Sequence, residues 1–280
     1  MNDLFGLNGR QAVVTGGTQG VGGSIARAVA AAGADVLLVG LRDDEAARET
    51  LAACRDSGAR ADLIIADLAQ PPAGYLPALM AQVEREMPGA DLLINNAGTF
   101  IDKPYLEMDF DTYLATMHLN VTAGYFITQA LSRRWTTQGT AGRVLFTGSI
   151  NGLLAEPHHT AYDTSKGAVA AMVRSLAVAL APSGIRVNAI APGLVRTPLT
   201  APAIDEPRFR AWMEWHTPNR QVPDSDVCGA AAVFLLSDAA AHIHGQTLLI
   251  DGGMSVWQQP DMPDNWDPHG PASGPSETAE

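Results

Sequence analysis

The chain has 280 residues, 46% hydrophobic and 17% charged, a composition that excludes a disordered, collagen-like or coiled-coil protein. Lys and Arg number 18 against 30 Asp and Glu, a formal charge of −12, so neither nucleic acid nor an anionic membrane is an expected partner. The two cysteines, Cys54 and Cys228, exclude a disulfide scaffold or zinc ribbon and fit a reducing compartment.

Met1–Gly9 contains Asp3 and lacks a basic segment followed by an apolar one, so no signal peptide is expected. The alanine-rich stretches are interrupted at Arg27, Asp35 and Arg174, short of the roughly 18 uninterrupted apolar residues of a membrane span. A soluble cytoplasmic protein is the expectation.

Strand-like and helix-like segments alternate. Gln11–Thr15 reads as a strand, Gly20–Ala32 as a helix, Val36–Val39 as a strand and Asp43–Ser57 as a helix. Strands Leu63–Ala66 and Leu92–Asn95 flank a helical Ala78–Met87. A long helical stretch, Phe110–Thr137, leads to strand Arg143–Thr147, and helix Ala161–Ala181 leads to strand Arg186–Ile190. Helix Ser225–Leu236 leads to the last strand, Gln246–Ile250. The strands are continuously apolar, as in a sheet covered on both faces. This alternation predicts right-handed βαβ units, hence an α/β, single-domain, doubly wound parallel sheet. The domain spans 1–257. A Pro-rich acidic tail, 258–280, carries Pro260, Pro263, Pro268, Pro271 and Pro275, no Lys or Arg, and Trp266. It reads as extended or disordered.

Gly16, Gly20 and Gly22 follow the first strand with the spacing G-x3-G-x-G and open the first helix. Glycines suit a tight turn, a close approach to pyrophosphate and a close helix–strand contact, and the helix N-terminus offers free N–H groups to an anion. At the end of the second strand, an acid would grip the 2′-hydroxyl of NAD and an arginine would meet the 2′-phosphate of NADP. Here Gly40 stands at the acid's position, followed by Leu41, Arg42, Asp43 and Asp44. Arg42 either meets a phosphate or opens a solvated helix, and both readings stand. The cofactor is read as NADP or NAD, leaning to NADP.

Tyr162 and Lys166 lie four residues apart on one helix face. A nearby cation favours the phenolate, so Tyr162 is expected to have a lowered pKa and to exchange a proton with a substrate oxygen. Ser149 follows the fifth strand, at the sheet edge where open α/β folds bind ligands. With Asn95-Asn96-Ala97-Gly98 after the fourth strand and Pro192-Gly193 after the sixth, this ordered set strongly resembles the short-chain dehydrogenase/reductase family, over about Leu7 to Gly253.

The resemblance implies a seven-stranded Rossmann-type domain and a homo-oligomer, tetramer or dimer. It implies Tyr162 as general acid/base, Lys166 as the group that holds the nicotinamide ribose, Ser149 as binder of the reacting oxygen and Asn120 as anchor of a water-linked proton relay. Cofactor contacts are implied for Gly16, Thr18, Gln19, Gly20, Val21, Gly22, Leu41, Arg42, Asp67, Leu68, Asn96, Ala97, Gly98, Tyr162, Lys166, Pro192, Gly193, Val195 and Thr197. Gln19 departs from the basic residue of many NADP-dependent members, and Leu41 occupies their usual arginine position. Both leave the cofactor open.

On the substrate side, Ser149, Asn151, Glu156, His158 and Tyr162 could hydrogen-bond several hydroxyls of a sugar, sugar acid or polyol. A solvated polar rim is an equal reading of the same loop. Leu199–Val222, with Phe209, Trp212, Trp215 and His216, stands where the family has a substrate lid; its aromatics would cover substrate or pack an interface. His242-Ile243-His244 lacks supporting Cys or acids, so no metal site is expected. The leading function is NAD(P)-dependent interconversion of a secondary alcohol and a ketone on a sugar, sugar acid or polyol. The alternatives are a 3-oxoacyl-thioester (acyl carrier protein) reductase and a non-catalytic nucleotide-binding regulatory protein.

Overall fold

The computed structural model describes residues 4–258, so the tail beyond Gln258, with Trp266, lies outside the described residues. Seven strands form one parallel sheet: β1 (Gln11–Thr15), β2 (Asp35–Gly40), β3 (Ala61–Ile65), β4 (Leu92–Asn95), β5 (Arg143–Thr147), β6 (Arg186–Pro192) and β7 (Thr247–Ile250). Their order is β3-β2-β1-β4-β5-β6-β7, which bears out the doubly wound expectation. The chain runs outward from β1 to β3, then returns to β4 on the other side of β1. The crevice this reversal leaves at the carboxyl ends of β1 and β4 is where such folds bind ligands.

Each strand is apolar throughout because successive side chains enter different cores. Val13 packs on one face with Tyr75, Leu79, Ile127, Leu131 and Trp135. Its neighbours Ala12 and Val14 pack on the other with Ile25, Val29, Leu51 and Leu235. The first face is covered by α3 (Pro72–Glu86), α5 (Ala123–Gln138) and α6 (Thr160–Leu180). The second is covered by α1 (Gly20–Ala31), α2 (Glu45–Asp56) and α9 (Val227–Leu236). Thr160–Ser183 is long and apolar enough to cross a membrane by composition, but its Val169, Met172, Val173 and Ala177 are buried in the first core.

Three elements differ from the sequence reading. Helix α3 begins at Pro72, not Ala78, because a proline at the first helical position is pre-set for the helix. The stretch from Phe110 is not one regular helix: α4 (Phe110–Met117) passes through a wide π turn, His118–Thr122, into α5. Between β6 and α9 lie two short helices, α7 (Ala201–Ile204) and α8 (Pro207–His216).

At the amino edge of the sheet, two buried arginines cap the end of α9. Arg186 donates to the Leu235 and Ser237 carbonyls at 3.1 and 2.7 Å, and Arg143 donates to Leu236 and pairs with Asp238. Burial pushes the Arg186 pKa down to about 10, with Arg143 adding repulsion. Arg186→Ala strands two buried carbonyls, so Tm is expected to fall by about 5–10 °C in a thermal melt, from a loss of about 2–3 kcal/mol. An unchanged melt would show that solvent replaces the guanidinium.

Candidate active site

The glycine loop is held against the turn after β4. Thr15 Oγ1 accepts from the Asn96 and Ala97 amides at 3.0 and 3.2 Å, and Asn96 Nδ2 donates to the Gly16 carbonyl at 3.0 Å. Gly16 has φ +60°, and a Cβ there would sit 2.8 Å from the Ala97 Cα. A Cβ on Gly22 would lie 2.1 Å from the Gly16 carbonyl oxygen. Glycine is therefore required at both positions by contact with backbone. Gln19 is the N-cap of α1 and offers no side-chain cap, so the first helical N–H groups stay available to an anion, with Val21 in the first turn. Gly20 faces the Thr197 side chain, where a Cβ would come within 3.3 Å, so the loop meets the turn after β6. In that turn Thr197 bonds Thr200, Val195 is buried, and Gly193 packs against the Asp251 backbone after Pro192 ends β6.

At the end of β2, a Cβ on Gly40 would meet the Thr18 methyl at 2.5 Å. The space an acid would need is taken by Thr18. Leu41 and Arg42 are exposed. The two acids that follow have other partners: Asp43 pairs with Arg48 at 2.9 Å, and Asp44 caps α2 by accepting from the Ala47 amide. Arg42 has no carboxylate partner among the described residues, and it precedes the helix rather than opening it. Asp67 accepts from Ala69 and Gln70, beside buried Leu68. With Gln70, Pro71, Gly74 and Tyr75 it lines an open cleft of ≈540 Å³.

The reactive groups gather at the carboxyl end of β5. Lys166 is buried, 6% exposed, and its Nζ donates to the Thr147 carbonyl at 3.0 Å and lies 5.5 Å from the Tyr162 ring centre. The Ser149 hydroxyl stands beside the Tyr162 hydroxyl and favours its ionised form. Asn120, in the π turn, is also buried. It accepts from the Thr99 amide and donates to the Thr99 carbonyl, both at 2.9 Å, and donates to Ser165 Oγ at 2.9 Å. Gly98 packs against its side chain. Asn120 thus ties the turn after β4 to α6.

The electrostatics correct one expectation. Burial pushes the Tyr162 pKa above the ordinary phenol range; the Ser149 hydroxyl opposes this, and the Asp163 and Glu156 carboxylates add to it. Burial also brings Lys166 down to about 8. In the protein alone, burial dominates, and Tyr162 is a protonated phenol at neutral pH.

The substrate-side residues divide. Asn151 is buried, bonded to Ser149, Glu156 and Asp163. His158 is exposed, and its carbonyl accepts from the Lys103 amide. The neighbour His159 is the histidine beside the site: its ring lies 6.1 Å from Tyr162 and 5.2 Å from Phe100. Trp212 is 54% exposed and stacks on His216 and Trp215. Sequence reasoning missed the parts of Asp163, His159 and Thr147. Asp163 stood inside the Tyr162–Lys166 motif, but its partners come from a preceding loop.

Comparison with known proteins agrees with this geometry. The family model described as enoyl-(acyl carrier protein) reductase matches residues 16–255. A glucose 1-dehydrogenase of Gluconobacter oxydans (strain 621H) is 33% identical over 260 residues, 92% of this chain and 96% of that protein. A galactitol 2-dehydrogenase (L-tagatose-forming) of Cereibacter sphaeroides is 37% identical over 257 residues, 91% of this chain and 98% of the other. The chain belongs to the short-chain dehydrogenase/reductase family. Among solved members of the family, a gluconate 5-dehydrogenase from Burkholderia cenocepacia J2315 in complex with NADP and tartrate superposes with a TM-score of 0.84 at 31% identity, over 91% of this chain and 98% of that one.

Dehydrogenases of this family use NAD or NADP, and the residues here fit such a dinucleotide. The start of α1 has no side-chain cap, the cleft at Asp67 is open, and a buried cation stands beside Tyr162. Gly22→Ala is expected to weaken NADPH binding at least about tenfold in a fluorescence titration, because the methyl must displace the Gly16 carbonyl. Unchanged affinity would show that this loop is not the cradle.

Proposed function

We propose that the chain is an NAD(P)-dependent dehydrogenase that interconverts a secondary alcohol and a ketone on a sugar, sugar acid or polyol. The observation that carries this reading is the Ser149–Tyr162–Lys166 cluster at the carboxyl edge of the sheet, beside the glycine loop. The Asn151 and Glu156 groups of the same loop suit a substrate with several hydroxyls.

A bound nicotinamide supplies or accepts the hydride. Tyr162, protonated at neutral pH, gives its proton to a carbonyl oxygen or, as phenolate, takes one from an alcohol. Ser149 donates to the same oxygen and holds it against Tyr162. Lys166, still largely charged near neutral pH, offers hydrogen bonds to a ribose and stabilises the phenolate once Tyr162 loses its proton. Asn120 fixes the turn that faces Lys166 and anchors the proton relay. Gly16, Thr18, Gly20, Gly22, Asn96, Gly193 and Thr197 hold the dinucleotide, with Asp67 and Leu68 at its adenine end.

A soluble cytoplasmic homo-oligomer, tetramer or dimer, is part of this reading. Tyr105, Leu106 and Phe110 are strongly exposed apolar side chains that suit a subunit contact. A 3-oxoacyl-thioester reductase is the second reading, favoured by exposed Leu153 and Leu154 on the substrate loop. Appearance of reduced nicotinamide on a panel of galactitol, glucose and gluconate, against reduction of an acetoacetyl thioester, separates the two. No turnover of either class by a protein that binds NADPH would favour the non-catalytic reading.

Two outcomes are expected. Tyr162→Phe should keep nucleotide affinity and lose about 10²–10⁴-fold in turnover. In wild type, alcohol oxidation should climb with pH from neutral into the alkaline range, because the phenolate is scarce below a raised pKa, while ketone reduction stays flat near neutrality. Glu156, Asp163, His159 and Lys166 all face the phenol and shape the curve. Oxidation that peaks below neutral pH would remove Tyr162 as the base.

The cofactor reading leans to NADP(H), because Thr18 fills the acid's place at Gly40 and Asp43 and Asp44 are engaged away from Arg42. Arg42→Ala should lower the kcat/KM ratio of NADP+ over NAD+ by about tenfold, near 1.4 kcal/mol. A wild-type preference for NAD+ that Arg42→Ala leaves unchanged would overturn both the lean and the role.

A further inference from the structure

We propose that Asp163 is a positioning residue of the substrate site, clamping the Ser149–His159 loop so that Asn151 and Ser149 meet the substrate in one fixed arrangement. Asp163 lies in the first turn of α6, next to Tyr162. Its two carboxylate oxygens take separate donors from one loop. Oδ1 accepts from Asn151 Nδ2 at 2.8 Å, and Oδ2 accepts from the Glu156 backbone amide at 2.9 Å. The pinned points are five residues apart on an exposed segment where Leu153 and Ala155 face solvent. Glu156 adds a third tie, its Oε1 accepting from Asn151 Nδ2 at 3.3 Å.

The clamp also sets which end of the Asn151 amide faces the reacting centre. An ionised carboxylate only accepts hydrogen bonds, so it must face the Asn151 NH2 group. That leaves Asn151 Oδ1 toward Ser149, whose hydroxyl lies 3.4 Å away, while the Asn151 backbone N–H donates to Ser149 Oγ at 3.1 Å. Ser149 in turn stands beside the Tyr162 hydroxyl, whose ionised form it favours. One carboxylate thus orders a chain of contacts that ends on the proposed proton donor. The 3.4 Å contact is long and weak, so a substrate oxygen can take the Ser149 proton without breaking a strong bond.

Asp163→Asn keeps one acceptor oxygen in place of two, so an NH2 group must face either Asn151 Nδ2 or the Glu156 N–H. Asn151 can then flip, and the loop loses its charged anchor while α6 keeps its helix-forming backbone. The inference rests on the dehydrogenase reading and is separable from it. The experiment compares wild type and Asp163→Asn as full-length proteins. Two readouts are taken: amide hydrogen exchange over 150–159 with NADPH bound, and oxidation kinetics on galactitol, glucose and gluconate with NADP+ as the hydride acceptor.

The expected result for Asp163→Asn is exchange about tenfold or more faster at 155–157, and a kcat/KM at least about tenfold lower that falls mainly through KM, with NADPH affinity unchanged. Unchanged exchange in Asp163→Asn overturns the clamp. Faster exchange with an unaltered KM overturns its role in positioning. If Tyr162→Phe retains full turnover, the dehydrogenase reading itself fails, whatever Asp163 does.

Discussion

The reversal of strand order between β1 and β4 is the constraint on which the site depends. A continuous order would close the gap above each strand end with the next crossover. Because the chain leaves β1 in one direction and returns in the other, the turns after β1 and β4 have no helix between them. They meet directly, through Thr15 Oγ1 and the Asn96 side chain. That contact is tight enough to demand glycine at 16 and 22. The helix end it exposes offers a pyrophosphate bare N–H groups. Asn120 extends the same connection to α6, so the turn after β4 holds both the nucleotide loop and the helix that carries Tyr162 and Lys166.

Residues bonded to near neighbours in the chain, or repeated at a regular period, were legible in the sequence. β1, β4 and β5 are bounded as expected because their apolar runs end at turn residues, and the switch between two cores explains why those runs do not alternate. The glycine loop was legible because its spacing encodes a backbone shape. The π turn at His118–Thr122 was not, since a wide turn leaves helical periodicity almost intact while it rotates Asn120 into the core. Helices α7 and α8 escaped because Pro and aromatic residues in a short amphipathic segment carry no strong period.

Charges were the least legible feature, because their meaning lies in partners. Arg42 stands beside two acids in the sequence. In the fold, Asp43 belongs to Arg48 and Asp44 to the first turn of α2, so nearness along the chain misrepresented nearness in space. Asp163 stands between Tyr162 and Thr164 in the sequence, and both its oxygens are engaged by the loop before it. Tyr162 beside Lys166 suggested a lowered phenol pKa. Burial reverses the direction, since removing water penalises the phenolate.

That burial also explains how Lys166 serves a site it is expensive to build. An ammonium at 6% exposure is costly unless its donors are met. It has three, and among the described residues one is taken by the Thr147 carbonyl, with the face of the Tyr162 ring at 5.5 Å adding a weaker attraction. A fully satisfied lysine would be a structural strut with nothing to offer a ligand. A wholly unsatisfied one would surrender its proton. At about 8 the pKa of Lys166 stands between these limits: the charge survives near neutrality, and donors remain for an oxygen-rich molecule. Binding such a molecule satisfies the cation, and the satisfied cation favours loss of the proton from Tyr162. The cost of burying Lys166 in the free protein thereby becomes part of the affinity for whatever completes its hydrogen bonds.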